Sequence, residues 1–569
     1  MYEHILKTQQ SFARKATAQP EHRFKDLYHL ICREEWLRQA LEHVLSNKGA
    51  KTPGVDGISK KDLETEAAQT AFVLALQHDL KSETYHPDPV RRQWIPKPGK
   101  KEQRGLGIPT LRDRVVQELL RMLMEPIWES DFLDCSNGFR PGRRTMDCIS
   151  VFYSRVQTNN RYFWAIEGDI RKCFDRVNHH ILMRLIRQRL DDVRILKLIT
   201  AFLNAGVLDK GLFHKTPDGT PQGGILSPLL ANIYLHQLDL WWWKNYGRLS
   251  SAEKQKRRRH KQGNAILTRY ADDFVILWNG PKEGAYALRE ELKTFLWDEL
   301  RLELAEDKTH ITHMQDGIDF LGFHIQWKLP KKDYGPWLRV TPSKQNLQRF
   351  RQKIRTLTQR YEAVDTWPEH KFKALNRVLR GWGYYYNHVS FKYDATKLDY
   401  WVNKRVLIWL KHHHSKQGTR WILKRYKLHE NTRPRGRWNF AVESSQNGDM
   451  LFIFRMSDIP LKRYLHKKLP NPYLAAAIVH GIQQPETPFV EDNRFTLPPQ
   501  AQQWIKERSK AFKRDHYRCV RCGKDRTKLH AHHKLARSAG GEDKMNNLNT
   551  LCDACHRLTD SYGRVTMRQ

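Results

Sequence analysis

Apolar and polar residues follow two periodicities along the chain, and together these predict a multidomain α+β fold. In the first 50 residues the apolar positions recur with a helical period, as in Trp36, Leu37, Ala40, Leu41, Val44 and Leu45. Residues 58–330 mix helical and extended patterns with frequent Gly and Pro, which favours an α+β body. Beyond residue 345, three apolar stripes begin at Leu347, Phe372 and Leu398, step by three and four, and predict a compact helical module.

Two segments depart from these patterns. Residues 254–261 are polar and include Arg257, Arg258 and Arg259, so they predict either a solvated loop or a loop that contacts nucleic-acid phosphates. Residues 441–500 are rich in Pro and predict a connecting region that ends in an extended linker. The residues after them hold four of the eight Cys and predict a separate module.

The charge of the chain narrows the class of partner. The 569 residues carry 99 Lys and Arg against 62 Asp and Glu, a formal net charge of +37. This surplus indicates a polyanionic partner and argues against a small-molecule enzyme with a balanced surface. Residues 345–440 hold 22 Lys and Arg against 6 Asp and Glu, so the predicted helical module alone contributes +16.

The apolar runs and the cysteines indicate the cellular compartment. No run is long enough to span a bilayer, and the first residues lack the apolar stretch of a signal peptide. We therefore expect a cytoplasmic, prokaryotic-type intracellular protein with no membrane partner. Eight Cys are too few for a disulfide scaffold of this length, and in a reducing compartment clustered Cys are expected to bind metal.

Three carboxylates stand at the ends of predicted strands. Residues 265–270 and 274–278 are strand-like and flank Asp272 and Asp273, which predicts a hairpin with acids at its tip. An earlier strand-like run ends at Asp169. Adjacent carboxylates repel one another unless a cation lies between them, and hard oxygen ligands suit magnesium.

The motifs around these acids resemble those of reverse transcriptases, in the order that the family has them. The resemblance covers about residues 50–440, and several sequence blocks carry it. They are Arg104-Gly105-Leu106-Gly107-Ile108-Pro109, Gly138-Phe139-Arg140-Pro141-Gly142, Gly168-Asp169-Ile170-Arg171-Lys172-Cys173-Phe174-Asp175, Pro221-Gln222-Gly223-Gly224, Tyr270-Ala271-Asp272-Asp273, Leu302-Glu303-Leu304-Ala305-Glu306-Asp307-Lys308 and Phe320-Leu321-Gly322-Phe323. Gly105 stands where the family usually has proline, which we expect to loosen that loop.

The resemblance implies a right-hand polymerase with fingers, a palm built on an antiparallel sheet, and an α-helical thumb. Asp169, Asp272 and Asp273 would bind two Mg²⁺ ions for nucleotidyl transfer. The resemblance also assigns nucleotide-binding roles to Lys97, Arg104, Phe174, Gln222 and Lys308, with the Phe174 ring selecting deoxynucleotides. The residues taken alone allow simpler interpretations, in which Phe174 is a core aromatic and Lys308 is a surface lysine.

The basic helical module resembles the thumb, or maturase domain, of group II intron-encoded proteins. The motif that carries this resemblance is Arg380-Gly381-Trp382-Gly383-Tyr384-Tyr385-Tyr386. Interleaved basic and aromatic residues can neutralise phosphates and stack on bases, so Arg380 and Tyr385 are candidates for RNA binding. The spacing of Trp382 and Tyr386 is equally typical of core aromatics.

Near the C-terminus, two Cys-x-x-Cys pairs indicate a zinc site. Cys519, Cys522, Cys552 and Cys555 can complete a tetrahedron of thiolates around structural Zn²⁺. The histidines between and after the pairs resemble the ββα-metal core of HNH endonucleases. The resemblance implies that His533 is the general base and that Asn547 orients it. It makes His532 and His556 ligands of a catalytic divalent metal, with Asp560 as a further candidate. The alternative is a purely structural zinc module that grips DNA.

These resemblances predict five regions. They are an N-terminal RNA-binding extension at 1–57, fingers and palm at 58–340, thumb at 341–440, a DNA-binding region and linker at 441–500, and an HNH endonuclease at 501–569. The predicted function is that of a group II intron-encoded protein, which reverse transcribes RNA, promotes splicing of intron RNA and nicks target DNA for retrohoming. The expected partners are group II intron RNA, target DNA and dNTPs. Two alternatives remain, a splicing cofactor without polymerase activity and a reverse transcriptase of a defence system.

Overall fold

The computed structural model divides the chain into two compact units, Met1–Val479 and His480–Gln569. In the first unit it describes residues 2–96, 103–209, 212–214, 219, 223–329, 335–359, 367–430, 437–444, 448–462, 464 and 469–474. In the second unit it describes residues 507, 510–512, 514–516, 518–523, 529–534, 542, 544–552 and 555. Within these ranges, no helix combines the length and the apolarity needed to cross a membrane.

The N-terminal part of the first unit consists largely of α-helices. They are α1 (Tyr2–Ala18), α2 (Tyr28–Ile31), α3 (Glu34–Ser46), α4 (Glu66–Lys81), α5 (Leu111–Trp128), α6 (Thr145–Arg155), α7 (His179–Arg187) and α8 (Val193–Asn204). α5 is buried on nearly every side, as expected of a helix enclosed by others, and it packs against α1 and α3. The hydrophobic pattern predicted α3 correctly, since Trp36, Leu37, Ala40, Leu41, Val44 and Leu45 are all buried.

One four-stranded sheet combines two strands from before residue 110 with two short strands from beyond residue 205. Its order is β2 (Gln103–Ile108), β1 (Val90–Pro96), β4 (Val207–Asp209) and β5 (Leu212–His214). Gly105 pairs with Trp94 in the antiparallel β1–β2 ladder, and a Cβ on it would lie 3.3 Å from the Arg92 side chain. The expectation of a loosened loop at Gly105 is therefore wrong, because the residue belongs to a paired strand.

A second four-stranded sheet carries the predicted acids. It has the order β6 (Ala265–Tyr270), β7 (Asp273–Trp278), β3 (Trp164–Gly168) and β8 (His310–His313), and all neighbours are antiparallel. Successive residues of β7 face opposite sides of the sheet. Phe274 and Ile276 join one hydrophobic core, while Val275 and Leu277 join the other. The sheet is thus buried between two cores, which makes it a rigid support.

Three further helices follow in the chain, α9 (Ser227–Trp242), α10 (Ser251–Arg259) and α11 (Lys282–Leu300), of which α9 packs against β6 and α11 against β3. The loop predicted at 254–261 is wrong, because most of the segment is helical in α10. Ser250 and Glu253 form a capping box at its start, and its last turn holds basic residues that complement the negative end of the helix dipole.

The three predicted stripes form α12 (Lys344–Leu357), α13 (Pro368–Tyr386) and α14 (Lys392–His413), followed by α15 (Thr419–Tyr426). A sheet of β9 (Ile318–Phe320), β10 (Phe323–Lys328) and β11 (Trp337–Pro342) leads into them. A small sheet of β12 (Lys427–Glu430), β13 (Arg437–Glu443) and β14 (Met450–Phe452) shares their hydrophobic core. β13 runs across the position at which the sequence suggested a boundary between 440 and 441.

The second unit contains an antiparallel hairpin of β15 (Leu529–His533) and β16 (Leu548–Cys552). A short 3₁₀ helix, Met545–Asn547, leads directly into β16. Leu529, Leu551 and the buried cysteines form a small local core. A core this small is typical of domains that depend on a bound metal for stability.

Candidate functional site

The sheet brings the three predicted acids to one edge. Gly168, the last residue of β3, pairs with Phe274 of β7, so Asp169 follows β3 where β7 begins. Tyr270 pairs with Asp273 across the turn between β6 and β7, and Ala271 occupies that turn with a φ of 59°. The hairpin predicted from the sequence is thus present, and it presents Asp272 and Asp273 beside the strand that leads to Asp169.

The charges of the three acids act on one another. Asp273 is exposed at the start of β7, but neighbouring protein atoms reduce the hydration of its carboxylate. This loss of hydration, to which the negative charges of Asp272 and Asp169 add, raises the pKa of Asp273 to about 6. A divalent cation among the three carboxylates would relieve that repulsion, and their oxygen atoms are suitable ligands for magnesium.

Lys308 lies at the same edge. Its Nζ donates to Asp169 Oδ2 at 2.6 Å, and the ion pair is partly open to solvent. The segment before it is held against the strand end, since Ala305 N donates to Asp169 O at 2.8 Å and Ile170 bridges to Leu304. The structure therefore favours the assignment of Lys308 to the site over an isolated surface lysine.

A buried arginine supports the hairpin from within. Arg269 is fully buried, and its guanidinium donates to Asp239 through Nη2 at 2.5 Å and Nε at 2.9 Å. It also donates to Ser136 Oγ at 2.7 Å, Asn232 Oδ1 at 3.1 Å and the Ala271 carbonyl at 2.8 Å. Burial alone would raise the pKa of Asp239, but the Arg269 charge lowers it below its usual value.

Two glycines allow close packing around the acids. A Cβ on Gly168 would lie 2.0 Å from the Phe274 ring, and a Cβ on Gly138 would lie 2.2 Å from Ala271 N. Asn232 Nδ2 donates to the Gly138 carbonyl at 2.8 Å, which holds the Gly138 loop against the hairpin. Both positions therefore have a steric reason to be glycine.

The structure describes only some of the residues predicted to bind the nucleotide. Phe174 is half-buried in a 3₁₀ helix, Cys173–Arg176, that starts five residues after the end of β3. Arg104 pairs with Ile95 through the β1–β2 ladder, but its side chain lies outside the described part of the chain, as do Lys97 and Gln222 entirely. Their predicted roles stay predictions.

The residues predicted to contact RNA differ in whether their side chains already make contacts within the protein. Arg258 and Arg259 are exposed on α10, but Arg257 donates to the Gly263 carbonyl at 2.9 Å. The guanidinium of Arg380 lies 5.1 Å from the centre of the Phe454 ring. Tyr385 donates its hydroxyl to the Leu321 carbonyl at 2.9 Å. Arg257, Arg380 and Tyr385 thus have structural contacts of their own.

The four C-terminal cysteines converge. The Sγ atoms of Cys519, Cys522, Cys552 and Cys555 all lie within 4.8 Å of one another, and Cys522 Sγ and Cys552 Sγ are 3.7 Å apart. A disulfide would need about 2.05 Å, whereas sulfurs at the corners of a zinc tetrahedron with Zn–S bonds of about 2.3 Å are about 3.8 Å apart. The spacing fits a zinc ion.

Three of the predicted nuclease residues, His532, His533 and Asn547, lie on or next to the β15–β16 hairpin. His532 pairs with Asn549 and His533 with Leu548, while Asn547 directly precedes β16. The backbone of Lys534 donates to the Asn547 carbonyl at 2.8 Å, which connects the end of β15 to the predicted asparagine. Burial and the neighbouring His533 lower the pKa of His532. His556 and Asp560 lie outside the described residues.

Sequence reasoning missed the group around Arg269. Asp239 is the only acidic residue of α9, and Asn232 lies on the same helix. A single charged residue within the apolar strand Ala265–Tyr270 was the available signal. Such a residue requires a buried partner, but the sequence does not indicate which acid supplies it.

Comparisons with known proteins agree with this arrangement. Residues 95–325 match the family model for reverse transcriptase (RNA-dependent DNA polymerase). Residues 347–427 match the group II intron maturase-specific domain, and residues 519–560 match the HNH endonuclease family. The three matches follow the order predicted from the sequence motifs.

Related proteins extend the comparison. The chain is 40% identical to Protein YkfC of Escherichia coli over 340 residues, which cover 56% of this chain and 88% of that protein. It is 37% identical to group II intron-encoded protein LtrA of Lactococcus lactis over 357 residues, which cover 53% of this chain and 57% of LtrA. The chain therefore belongs to the group II intron-encoded proteins, and it combines a reverse transcriptase, a maturase-specific domain and an HNH endonuclease domain.

Proposed function

We propose that Asp169, Asp272 and Asp273 form the polymerase centre with which this chain copies group II intron RNA into DNA. The observation that carries the assignment is the strand register, which places Asp169 at the end of β3 beside the β6–β7 turn that holds Asp272 and Asp273. Two Mg²⁺ ions bound there would supply activation of the primer 3′-hydroxyl and charge stabilisation for the departing pyrophosphate. Lys308 contributes a positive charge beside Asp169, where the phosphates of a dNTP would arrive.

The basic surfaces of the first unit bind the intron RNA in this proposal, and the Phe174 ring excludes a ribose 2′-hydroxyl from the nucleotide site. Maturase activity follows from stabilising the folded intron.

The test of the polymerase is incorporation of dNTPs on an RNA template by an Asp272→Asn variant. Asp298→Asn, on the exposed face of α11, is the matched control. We expect Asp272→Asn to abolish incorporation and Asp298→Asn to retain it. Full incorporation by Asp272→Asn would refute the assignment.

The second unit is proposed to nick target DNA and so to provide the primer for reverse transcription. Zn²⁺ held by Cys519, Cys522, Cys552 and Cys555 would stabilise the fold of this unit. His533 acts as the general base that removes a proton from water, and Asn547 orients it. His532 and His556 would hold a divalent metal that stabilises the scissile phosphate.

A second pair of variants separates nicking from copying. His533→Ala should stop the nicking of duplex DNA while leaving extension of a supplied primer unchanged. His530→Ala, on the same strand two residues before His532, provides the matched control. Nicking that persists in His533→Ala would favour a zinc module that only grips DNA.

A further inference from the structure

The outer face of α14 carries a row of alternating tyrosine and lysine side chains. Tyr393, Lys397, Tyr400, Lys404 and Lys411 are separated by three, four or seven residues, so they lie above one another on one face of the helix. All five are exposed, Tyr393 by 64% and Tyr400 by 65%. We call this row the α14 stripe. From Tyr393 to Lys411 it extends about 27 Å at 1.5 Å per residue.

The lysines of the stripe lie directly beside its aromatic rings. Lys397 Nζ is 4.1 Å from the centre of the Tyr393 ring, and Lys404 Nζ is 4.6 Å from that of Tyr400. Each exposed ring is therefore accompanied by a cation. The opposite face of α14 is buried in the hydrophobic core through residues such as Leu398, Val402 and Val406. The core thus holds α14 in place, and the stripe stays exposed to solvent.

The surroundings of the stripe are also basic. Arg339 of β11 and Arg351 of α12 act together with Lys397 on the Asp394 carboxylate, where their charges oppose the effect of burial on its pKa. α12 contains no acidic residue, and its Arg355 lies 6.0 Å from the centre of the Trp401 ring. The face therefore presents a clear excess of positive charge.

The second acid of α14 does not offset this charge. Asp399 is buried, and its carboxylate accepts hydrogen bonds from Met456 N at 3.0 Å and Ser457 N at 2.9 Å. The helix α11 makes a useful contrast. It also exposes a tyrosine next to cations, Tyr286 beside Arg289, but it carries the acids Glu283, Glu290, Glu291, Asp298 and Glu299. α14 carries only two acids, Asp394 and the buried Asp399, so its row of aromatic rings lies in a more basic setting than Tyr286 of α11.

The tyrosines determine which nucleic acid fits. In a duplex the bases stack on each other and expose only their edges, so ring stacking by a protein requires unpaired bases. Lysines four residues from each ring can reach the phosphates that flank a stacked base. The thumb residues Arg380 and Tyr385, which the sequence suggested for this role, are engaged with Phe454 and Leu321.

We propose that the α14 stripe binds an unpaired segment of the intron RNA, with bases stacked on Tyr393 and Tyr400 and phosphates bound by Lys397, Lys404 and Lys411. The inference rests on the proposed function, because that function makes intron RNA the partner of this chain. It adds a surface that is separate from the carboxylates of the polymerase centre.

The test measures binding of a short fluorescein-labelled, unstructured oligoribonucleotide to the full-length protein. The polymerase cleft is first filled with a dideoxy-terminated DNA primer on an RNA template and the next dNTP. Three double variants are compared: Tyr393→Ala with Tyr400→Ala, Tyr393→Phe with Tyr400→Phe, and Lys397→Gln with Lys404→Gln. Tyr286→Ala with Arg289→Gln on α11 is the matched control, and thermal unfolding checks that each variant is folded.

We expect the alanine pair to weaken binding at least about fivefold for each base that no longer stacks, and the phenylalanine pair to bind like the parent. The glutamine pair should lower the slope of log Kd against log salt by about 0.7 for each phosphate that the protein no longer neutralises. Unchanged affinity in the alanine pair would overturn the proposal. An equal loss of affinity for duplex RNA or duplex DNA of the same sequence would overturn the assignment to unpaired RNA. Primer extension by each variant reports the polymerase separately, so variants that extend normally and bind RNA normally refute the stripe alone.

Discussion

Arg269 and Asp239 form a fully buried ion pair beside the hairpin that presents Asp272 and Asp273. The same guanidinium donates to the Ala271 carbonyl at 2.8 Å, in the turn itself. The pair therefore joins α9, on which Asp239 lies, to the tip of the β6–β7 hairpin. An ion pair held in this way fixes the orientation of the turn, since moving the turn would break hydrogen bonds between fully buried groups.

Replacement of Asp239 by Asn should destabilise the first unit strongly. The variant leaves the Arg269 charge buried without its counter-charge, which costs about 3–5 kcal/mol in comparable buried pairs. Urea unfolding monitored by tryptophan fluorescence measures the change in the free energy of unfolding. Asp298→Asn on the exposed surface of α11 is the control and should change it by less than about 0.5 kcal/mol. A loss as small as that of the control would show that Arg269 finds another partner.

Replacement of Gly138 by Ala should impair DNA synthesis more than it impairs folding. The new Cβ would lie 2.2 Å from Ala271 N, so the Gly138 loop and the hairpin must separate. We expect primer extension on an RNA template to fall at least about tenfold, as displacements near 1 Å can cost about 10²-fold in rate. The measurement is the rate of single-nucleotide incorporation at saturating dNTP.

Gly381 provides the matched control for this steric argument. It lies on α13, and a Cβ there meets nothing within 4 Å. Gly381→Ala should therefore keep full incorporation and stabilise the helix by up to about 1 kcal/mol. Equal activity of the two alanine variants would show that the hairpin tolerates the displacement.

The parts of the fold that the sequence predicted well are those with local signals. The hairpin that ends at Asp272 and Asp273 follows from two apolar strands and a short acidic turn, which lie within 14 residues of one another. The helices α12, α13 and α14 follow from apolar stripes because each must bury one face. The candidate site residues come from motifs that each occupy one turn or one strand end, and the structure places Asp169 next to the turn that holds Asp272 and Asp273.

The parts that were missed depend on distant pairing or on weak amphipathicity. Arg269 and Asp239 are 30 residues apart, and only the folded sheet and helix bring them together. α10 has no buried residue, so hydrophobic periodicity could not reveal it. Its capping box at Ser250 and Glu253 was the local signal that could have identified a helix in place of a loop.

A further prediction concerns the junction between β10 and the thumb helices. Tyr386 of α13 donates its hydroxyl to the Gly322 carbonyl at 3.0 Å and accepts from Asn346 Nδ2 at 2.8 Å. Tyr386→Phe removes both bonds within a largely buried site and should lower stability by about 1–3 kcal/mol. Because this junction connects the thumb to the turn at Gly322, we also expect shorter cDNA products per binding event. Tyr393→Phe, on the exposed face of α14, is the control for loss of a hydroxyl alone. Products of parental length from Tyr386→Phe would show that the junction does not depend on this hydroxyl.

The last prediction concerns the cysteine cluster and tests the activities of the two units separately. Cys522→Ser removes one of four converging thiolates, and a serine hydroxyl is a poor ligand for zinc at neutral pH. The purified variant should contain less zinc than the parent, as measured by a colorimetric chelator after denaturation, and should lose DNA nicking. Its primer extension should stay at the parental level, because the polymerase acids lie in the other compact unit. Cys32→Ser, a cysteine of the first unit outside the cluster, should keep the full zinc content. Unchanged zinc in Cys522→Ser would mean that the cluster does not hold the metal through this thiolate.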